Sequence, residues 1–141
     1  RRLLADADVT HETVEVPGAL EIPTTIGYAA RTGRYDGYVA LGCVIRGETT
    51  HYETVCEESA RGITLLGVER GLAIGNGILT CETMAQAEAR ADPQRLDKGG
   101  GAAAAALHLV ALDRRFRAPG IDGPPAGPDT LIASASLTRT A

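Results

Sequence analysis

Apolar residues change their spacing several times along the chain, and each change marks an element. Residues 9–16, VTHETVEV, are rich in β-branched side chains and stop at Pro17-Gly18, which predicts a strand entering a turn. A helical run over 22–32 follows, with Gly33 where a helix C-cap is expected. YVALGCVI (38–45) is a nearly unbroken apolar run, as in parallel strands buried on both faces. After the polar RGETT, a long helix is expected to about Gly67, with Val55, Ser59, Gly62, Ile63 and Leu66 at helical spacing. Thr50-His51-Tyr52-Glu53 has the form of a capping box, making Thr50 the N-cap. LAIGNGILT (72–80) reads as a second buried strand, and Thr83-Met84-Ala85-Gln86 as a second capping box opening a short helix that Pro93 ends. The last helix spans about 98–117, with Leu107, Val110, Ala111 and Phe116 expected on its buried side.

Strands alternating with helices imply right-handed βαβ units, hence an α/β domain with a parallel sheet between helices. RRLLADAD reads as the second half of a helix feeding the first strand, so an earlier strand is expected outside the sequence. Residues 118–129 form a Pro/Gly-rich linker, and TLIASASL (130–137) alternates as a short strand would. The expected division is therefore a domain over 1–117 and a tail over 118–141.

Composition narrows the function. At 141 residues, 44% hydrophobic and 23% charged, the chain is an ordinary globular domain. A net charge of -4, without a basic run, argues against a nucleic-acid partner. The low-polarity stretch 99–112 is too short to span a bilayer, and no signal peptide opens the sequence. Cys43, Cys56 and Cys81 are odd in number and far apart, which suits a reducing cytoplasm rather than a disulfide framework. No metal-ligand spacing appears.

Ligands of parallel α/β sheets bind beyond the carboxyl ends of the strands, here the loops 17–21, 46–50 and 80–83. The middle loop is the most informative. Gly47 permits close backbone approach, and Glu48, Thr49 and Thr50 lead into a helix N-terminus, an anion site for which phosphate is the usual occupant. His51 would stand beside that anion as a general acid/base; its alternative is an exposed histidine in a capped turn. Arg46 reads first as half of a surface ion pair and second as a ligand contact. Glu21 and Arg90 read singly as structural, whereas Lys98 opens a helix, a poor place for a cation. Gly99-Gly100-Gly101 is a weak phosphate-cradle signal without a GxxxxGK[ST] motif. Glu53, Glu57 and Arg61 read as a solvated ion-pair face, and His11 and His108 as structural.

Three blocks, in this order and spacing, resemble the lumazine synthase family: Val16-Pro-Gly-Ala-Leu-Glu-Ile-Pro23; Gly42-Cys-Val-Ile-Arg-Gly-Glu-Thr-Thr-His-Tyr52; and Gly77-Ile-Leu-Thr through Gln86-Ala-Glu-Ala-Arg90 to Lys98-Gly99. The resemblance implies a doubly wound, flavodoxin-like, three-layer αβα fold and a transferase of riboflavin synthesis. That activity joins 5-amino-6-(D-ribitylamino)uracil to 3,4-dihydroxy-2-butanone 4-phosphate and releases phosphate and water, and the resemblance implies no metal or organic cofactor. It also implies roles: Ala19, Leu20, Glu21, Cys43, Val44 and Ile45 around the pyrimidine and ribityl chain, with Lys98 near the ribityl or phosphate end. Glu48, Thr49 and a neighbouring subunit's Arg90 would hold phosphate, and His51 would shuttle protons. Sites of the family lie between subunits of a pentamer, in some members stacked or closed into a shell, and riboflavin synthase is a candidate partner. The family's first strand and its stacking aromatic have no counterpart here, and Asn76 stands where the fourth strand often contributes an aromatic. The alternatives are a missing N-terminal segment, or 130–137 filling the vacant strand position. The rival function is a non-catalytic flavin- or lumazine-binding assembly of the same fold.

Overall fold

A computed structural model describes residue 4 and residues 7–117. Six elements follow in order: α1 (Glu21–Arg31), β1 (Tyr38–Ile45), α2 (His51–Arg70), β2 (Ile74–Cys81), α3 (Met84–Ala91) and α4 (Lys98–Arg117). The strands pair in parallel, from Tyr38 opposite Ile74 to Ile45 opposite Cys81.

Neighbouring strand residues face opposite sides, so the sheet has two different surfaces. One carries Ala40 and Ile74, covered by Ile22 and Ile26 of α1 and Ile63 of α2; this is the main core. Ile22 and Ile26 are one helical turn apart, and burying each such side chain contributes about 1.5–3 kcal/mol. The helices of this layer approach closely, since a Cβ on Gly62 would lie 2.8 Å from the Pro23 ring. Buried Ser59 satisfies its hydroxyl by donating to the Cys56 carbonyl at 3.3 Å. The other surface carries Val39, Leu41, Cys43 and Ile45 of β1 but, on β2, Gly75 and Gly77 ahead of Leu79 and Cys81. Gly75 and Gly77 let α4 settle against the backbone, and a Cβ on Gly75 would lie 1.8 Å from the Ala102 carbonyl oxygen. The architecture is α/β in three layers, with helices on both faces of a small parallel sheet.

The expected helices and strands appear with ends shifted by a few residues, although β1 is not buried on both faces: Ala40 alone of its residues is buried, and Leu41 is 59% exposed. α1 ends on Thr32, whose hydroxyl donates to the Ala29 carbonyl at 2.7 Å, with Gly33 in the left-handed region (φ 65°). α2 runs past Gly67 to Gly71, whose left-handed backbone (φ 63°) closes it. Two expectations are corrected. Residues 9–16 form no strand: a strand is defined by its ladder, and these residues pair with neither β1 nor β2. They are held instead by Val9 donating to the Leu4 carbonyl at 2.9 Å, Glu12 accepting from the Tyr35 hydroxyl, and Val16 packing on the core. The buried side of α4 is Ala102, Ala103 and Ala106, not the bulkier residues: Ala111 is exposed and Phe116 is 64% exposed. A helix drawn down onto glycines has room only for alanines. Val110 still packs, its Cγ2 lying where a Cβ on Gly37 would clash. Of the helix expected over 1–8, Leu4 is helical while Ala7 and Asp8 form a turn, and the 118–129 linker and 130–137 strand lie outside the described residues. Among the described residues, no helix is long and apolar enough to cross a membrane.

The alanine–glycine contact is testable by urea unfolding. Gly75→Ala should destabilise by about 2–3 kcal/mol or more through overpacking against backbone. Gly101→Ala, on α4 where an added Cβ meets nothing, should be neutral or stabilise by up to about 1 kcal/mol. Equal effects of the two would contradict this packing.

Candidate active site

The carboxyl ends of both strands open on one side, and three loops gather there. Residues 17–21 lead into α1, whose first turn reaches over β1: a Cβ on Gly42 would lie 3.3 Å from Ile22 Cδ1. Ala19 packs against the core, while Leu20 and Glu21 are exposed. Glu21 occupies the first turn of α1, where a carboxylate also suits the helix dipole. Cys43, Val44 and Ile45 end β1. Cys43 is exposed; what burial it has, and then the neighbouring Cys81 thiol, push its pKa up, so it is a poor nucleophile at neutral pH.

Next comes the 46–50 loop, with Glu48 and Thr49 exposed. Thr49 Oγ1 accepts weakly from the His51 amide at 3.4 Å, and His51 begins α2, exposed to solvent. The expected capping box here does not form. Thr50 is the N-cap by position, yet its side chain makes no capping bond, and Glu53 turns away to Arg46. At α3 the box forms one residue out of place: Thr83 Oγ1 accepts from the Gln86 amide at 3.3 Å, while Gln86 Oε1 accepts from the Glu82 amide at 2.9 Å.

Arg46 occupies the centre of this end of the sheet. Its amide donates to the Cys81 carbonyl at 2.9 Å, its Nε to Glu82 Oε2 at 2.5 Å, and its Nη1 to Glu53 Oε1. The guanidinium carbon lies 4.2 Å from the centroid of the Tyr52 ring, a cation–π distance. The ion-pair reading of Arg46 thus holds, with two partners rather than one. Glu53 therefore leaves the face it was expected to share with Glu57 and Arg61, and Arg61 pairs with Glu58 instead. The hydrogen bond from Arg46 holds the Glu53 carboxyl below its usual value near 4.5. Glu53 Oε2 is buried and finds no hydrogen-bond partner among the described residues. Partial burial first, then Cys56 and Glu82, raise the Tyr52 phenol above its ordinary 10.0, so it stays neutral. Glu82 and Tyr52 are site-forming residues that sequence reasoning did not single out.

The other expected site residues lie on neighbouring elements. Lys98 opens α4, half-buried, and Gly99 approaches Leu41 of β1. The three glycines after it form no open cradle, because Asp97 caps them: its Oδ1 accepts from the Gly100 amide at 3.1 Å and its carbonyl from the Gly101 amide at 3.0 Å. Arg90 stands in the last turn of α3, with Nη1 donating to the Gln86 carbonyl at 3.2 Å. Asn76 lies exposed within β2, well short of its carboxyl end, and its Oδ1 accepts from the Ile78 amide at 3.0 Å. His11 and His108 are exposed and away from the loops.

The sequence profile of 6,7-dimethyl-8-ribityllumazine synthase matches residues 2–114, which includes every loop just described. The chain belongs to that family. Curated relatives agree. A 6,7-dimethyl-8-ribityllumazine synthase of Jannaschia sp. is 60% identical over 119 residues, 84% of this chain and 66% of that protein. One of Sphingopyxis alaskensis is 64% identical over 107 residues, covering 76% and 75% respectively. One of Novosphingobium aromaticivorans is 58% identical over 113 residues, covering 80% and 81%. The matched part therefore spans two thirds to four fifths of these relatives.

The Arg46–Glu53 pair gives a pH signature. A carboxyl held below its unfolded value adds stability above that value and loses it as pH falls through the folded one. The stability difference between the wild type and Glu53→Gln should be constant above about pH 5.5 and shrink as the solution is acidified below 4.5. Urea unfolding across that range measures it; a difference independent of pH would remove the pair from the acid response.

Proposed function

We propose that this chain condenses 5-amino-6-(D-ribitylamino)uracil with 3,4-dihydroxy-2-butanone 4-phosphate, forming 6,7-dimethyl-8-ribityllumazine in riboflavin biosynthesis. The observation that carries this reading is the RGETTH segment, poised between the carboxyl end of β1 and the first turn of α2 within the family match. The pyrimidine's amine attacks the ketone carbonyl, water leaves as the imine forms, phosphate is eliminated, and the ribitylamino nitrogen closes the ring on the second carbonyl with loss of a second water.

Each step moves protons, and His51, exposed at the head of α2, is the group suited to carry them. Glu48 and Thr49 present loop amides and a hydroxyl to the phosphate, joined by Arg90 of an adjacent subunit. Ala19, Leu20, Glu21 and the 43–45 strand end border the pyrimidine and ribityl chain; Lys98 lies towards the ribityl or phosphate end. Asn76 takes the place of a stacking aromatic, so stacking contributes less to binding here. The amine is already a nucleophile, so holding two substrates together supplies much of the catalysis, on the order of 7–11 kcal/mol at best.

The working form is a homo-oligomer, a pentamer or an assembly of pentamers, in the cytoplasm, with riboflavin synthase as the candidate partner for its product. Apolar surface on a single copy supports assembly: Tyr28 is 58% and Leu65 40% exposed, and both line a groove of about 330 Å³ between α1 and α2. A non-catalytic flavin-binding assembly is not favoured, since the three relatives named above all carry the synthase name.

Mixing the purified oligomer with both substrates and following the fluorescence of the lumazine tests the activity. His51→Ala should slow turnover by about 10²-fold without abolishing it. Arg90→Ala should raise KM for the phosphorylated ketone with little change in KM for the pyrimidine. A wild-type pentamer that never exceeds the uncatalysed rate would overturn the reading, and an unchanged ketone KM would take Arg90 out of the phosphate site.

A further inference from the structure

We propose that Arg46 is the positioning residue of this site: by bridging Glu53 of α2 and Glu82 ahead of α3, it fixes the 46–50 loop in the shape that receives the phosphorylated substrate. The inference rests on the proposed activity for its substrate, and on geometry alone for the bridge.

The loop has little to hold it from within. A Cβ on Gly47 would meet nothing, residues 46–50 are all exposed, and one weak bond, Thr49 Oγ1 to the His51 amide, is described inside it. Its shape therefore depends on its two ends. Arg46 secures both, binding Glu53 in the first turn of α2 and, through its amide and Nε, the end of β2 and Glu82. Tyr52 supports the guanidinium from its ring face.

Charge separates positioning from binding. One guanidinium between two carboxylates leaves the cluster with a net charge of -1 (one positive against two negative groups), which repels a phosphate dianion. A cation meant for phosphate would not spend its donors on Glu53 and Glu82. Lysine cannot replace this arginine, because a point charge on a flexible stem does not reproduce two directed hydrogen bonds and ring stacking.

The test compares Arg46→Ala, Arg46→Lys and Glu82→Ala with Arg61→Ala, which removes a comparable exposed ion pair elsewhere on α2. KM for the butanone phosphate should rise about tenfold in Arg46→Ala and nearly as much in Arg46→Lys, with the KM of the uracil unchanged. Arg61→Ala should alter neither. Amide hydrogen exchange over 47–50, with and without inorganic phosphate, gives a second readout that needs no turnover. Exchange should accelerate in Arg46→Ala, and the protection that phosphate confers should be lost. Equal rises in both KM values, or unchanged 47–50 exchange in an assembled variant, would overturn the proposal. If the wild type proves inactive, the activity reading fails and the exchange experiment still decides the bridge. If Arg46→Ala does not assemble, Glu82→Ala decides it, with a smaller rise in the same direction expected and none overturning it.

Discussion

The parallel register of β1 and β2 is the constraint from which the rest of this domain follows. With Tyr38 opposite Ile74, the residue after Ile45 must arrive beside the residue after Cys81, and these are Arg46 and Glu82. The same register puts Ala40 and Ile74 on the face that α1 and α2 cover. It leaves Gly75 and Gly77 on the other face, to be met by α4. A slip of one residue would exchange these faces, exposing the core set and driving isoleucine into a helix that has space only for alanine. Core, helix placement and site geometry are thus set together.

The two faces do different work. The isoleucine face supplies apolar burial, whereas the glycine face trades side-chain area for backbone contact and brings the head of α4, with Lys98 and Gly99, close to Leu41. That closeness matters because α4 begins at the functional end of the sheet. It also leaves one copy of the chain with large apolar residues uncovered, among them Leu41 at 59% exposed and Val14 at 61%. Surface of this kind on several sides fits a chain that completes itself by association.

Much of this was legible in the sequence, for identifiable reasons. Apolar runs such as 38–45 and 72–80 announce strands, though Leu41 and Cys43 stay exposed on one face of the first, and Thr83 announces its helix because a cap is local chemistry. The loops after β1 and β2 could be placed since they follow directly from those strands. What failed was whatever depends on a distant element. Residues 9–16 have strand composition without a strand partner. Ala111 and Phe116 were expected on the buried side of α4 with Leu107 and Val110, which are half-buried, because nothing in that helix reveals that its seat is glycine. Thr50 and Glu53 have the spacing of a box, yet the Arg46 guanidinium outcompetes a backbone amide for the carboxylate.

The division of labour among the charged residues follows from the same competition. Arg46 has the strongest acceptors nearby and is consumed by them, which makes it a fixture of the scaffold. Glu53 is drawn out of the helix cap by that bond and cannot serve the N-terminus of α2. The head of α2 keeps Glu53 in its first turn, paired with Arg46, with the short side chains of Thr49 and Thr50 ahead of it and His51 exposed at the first helical position. A helix N-terminus attracts an anion from solution, and a carboxylate nearby opposes that attraction least when a cation meets its charge. The bridge that holds the two ends of the loop supplies that cation for Glu53.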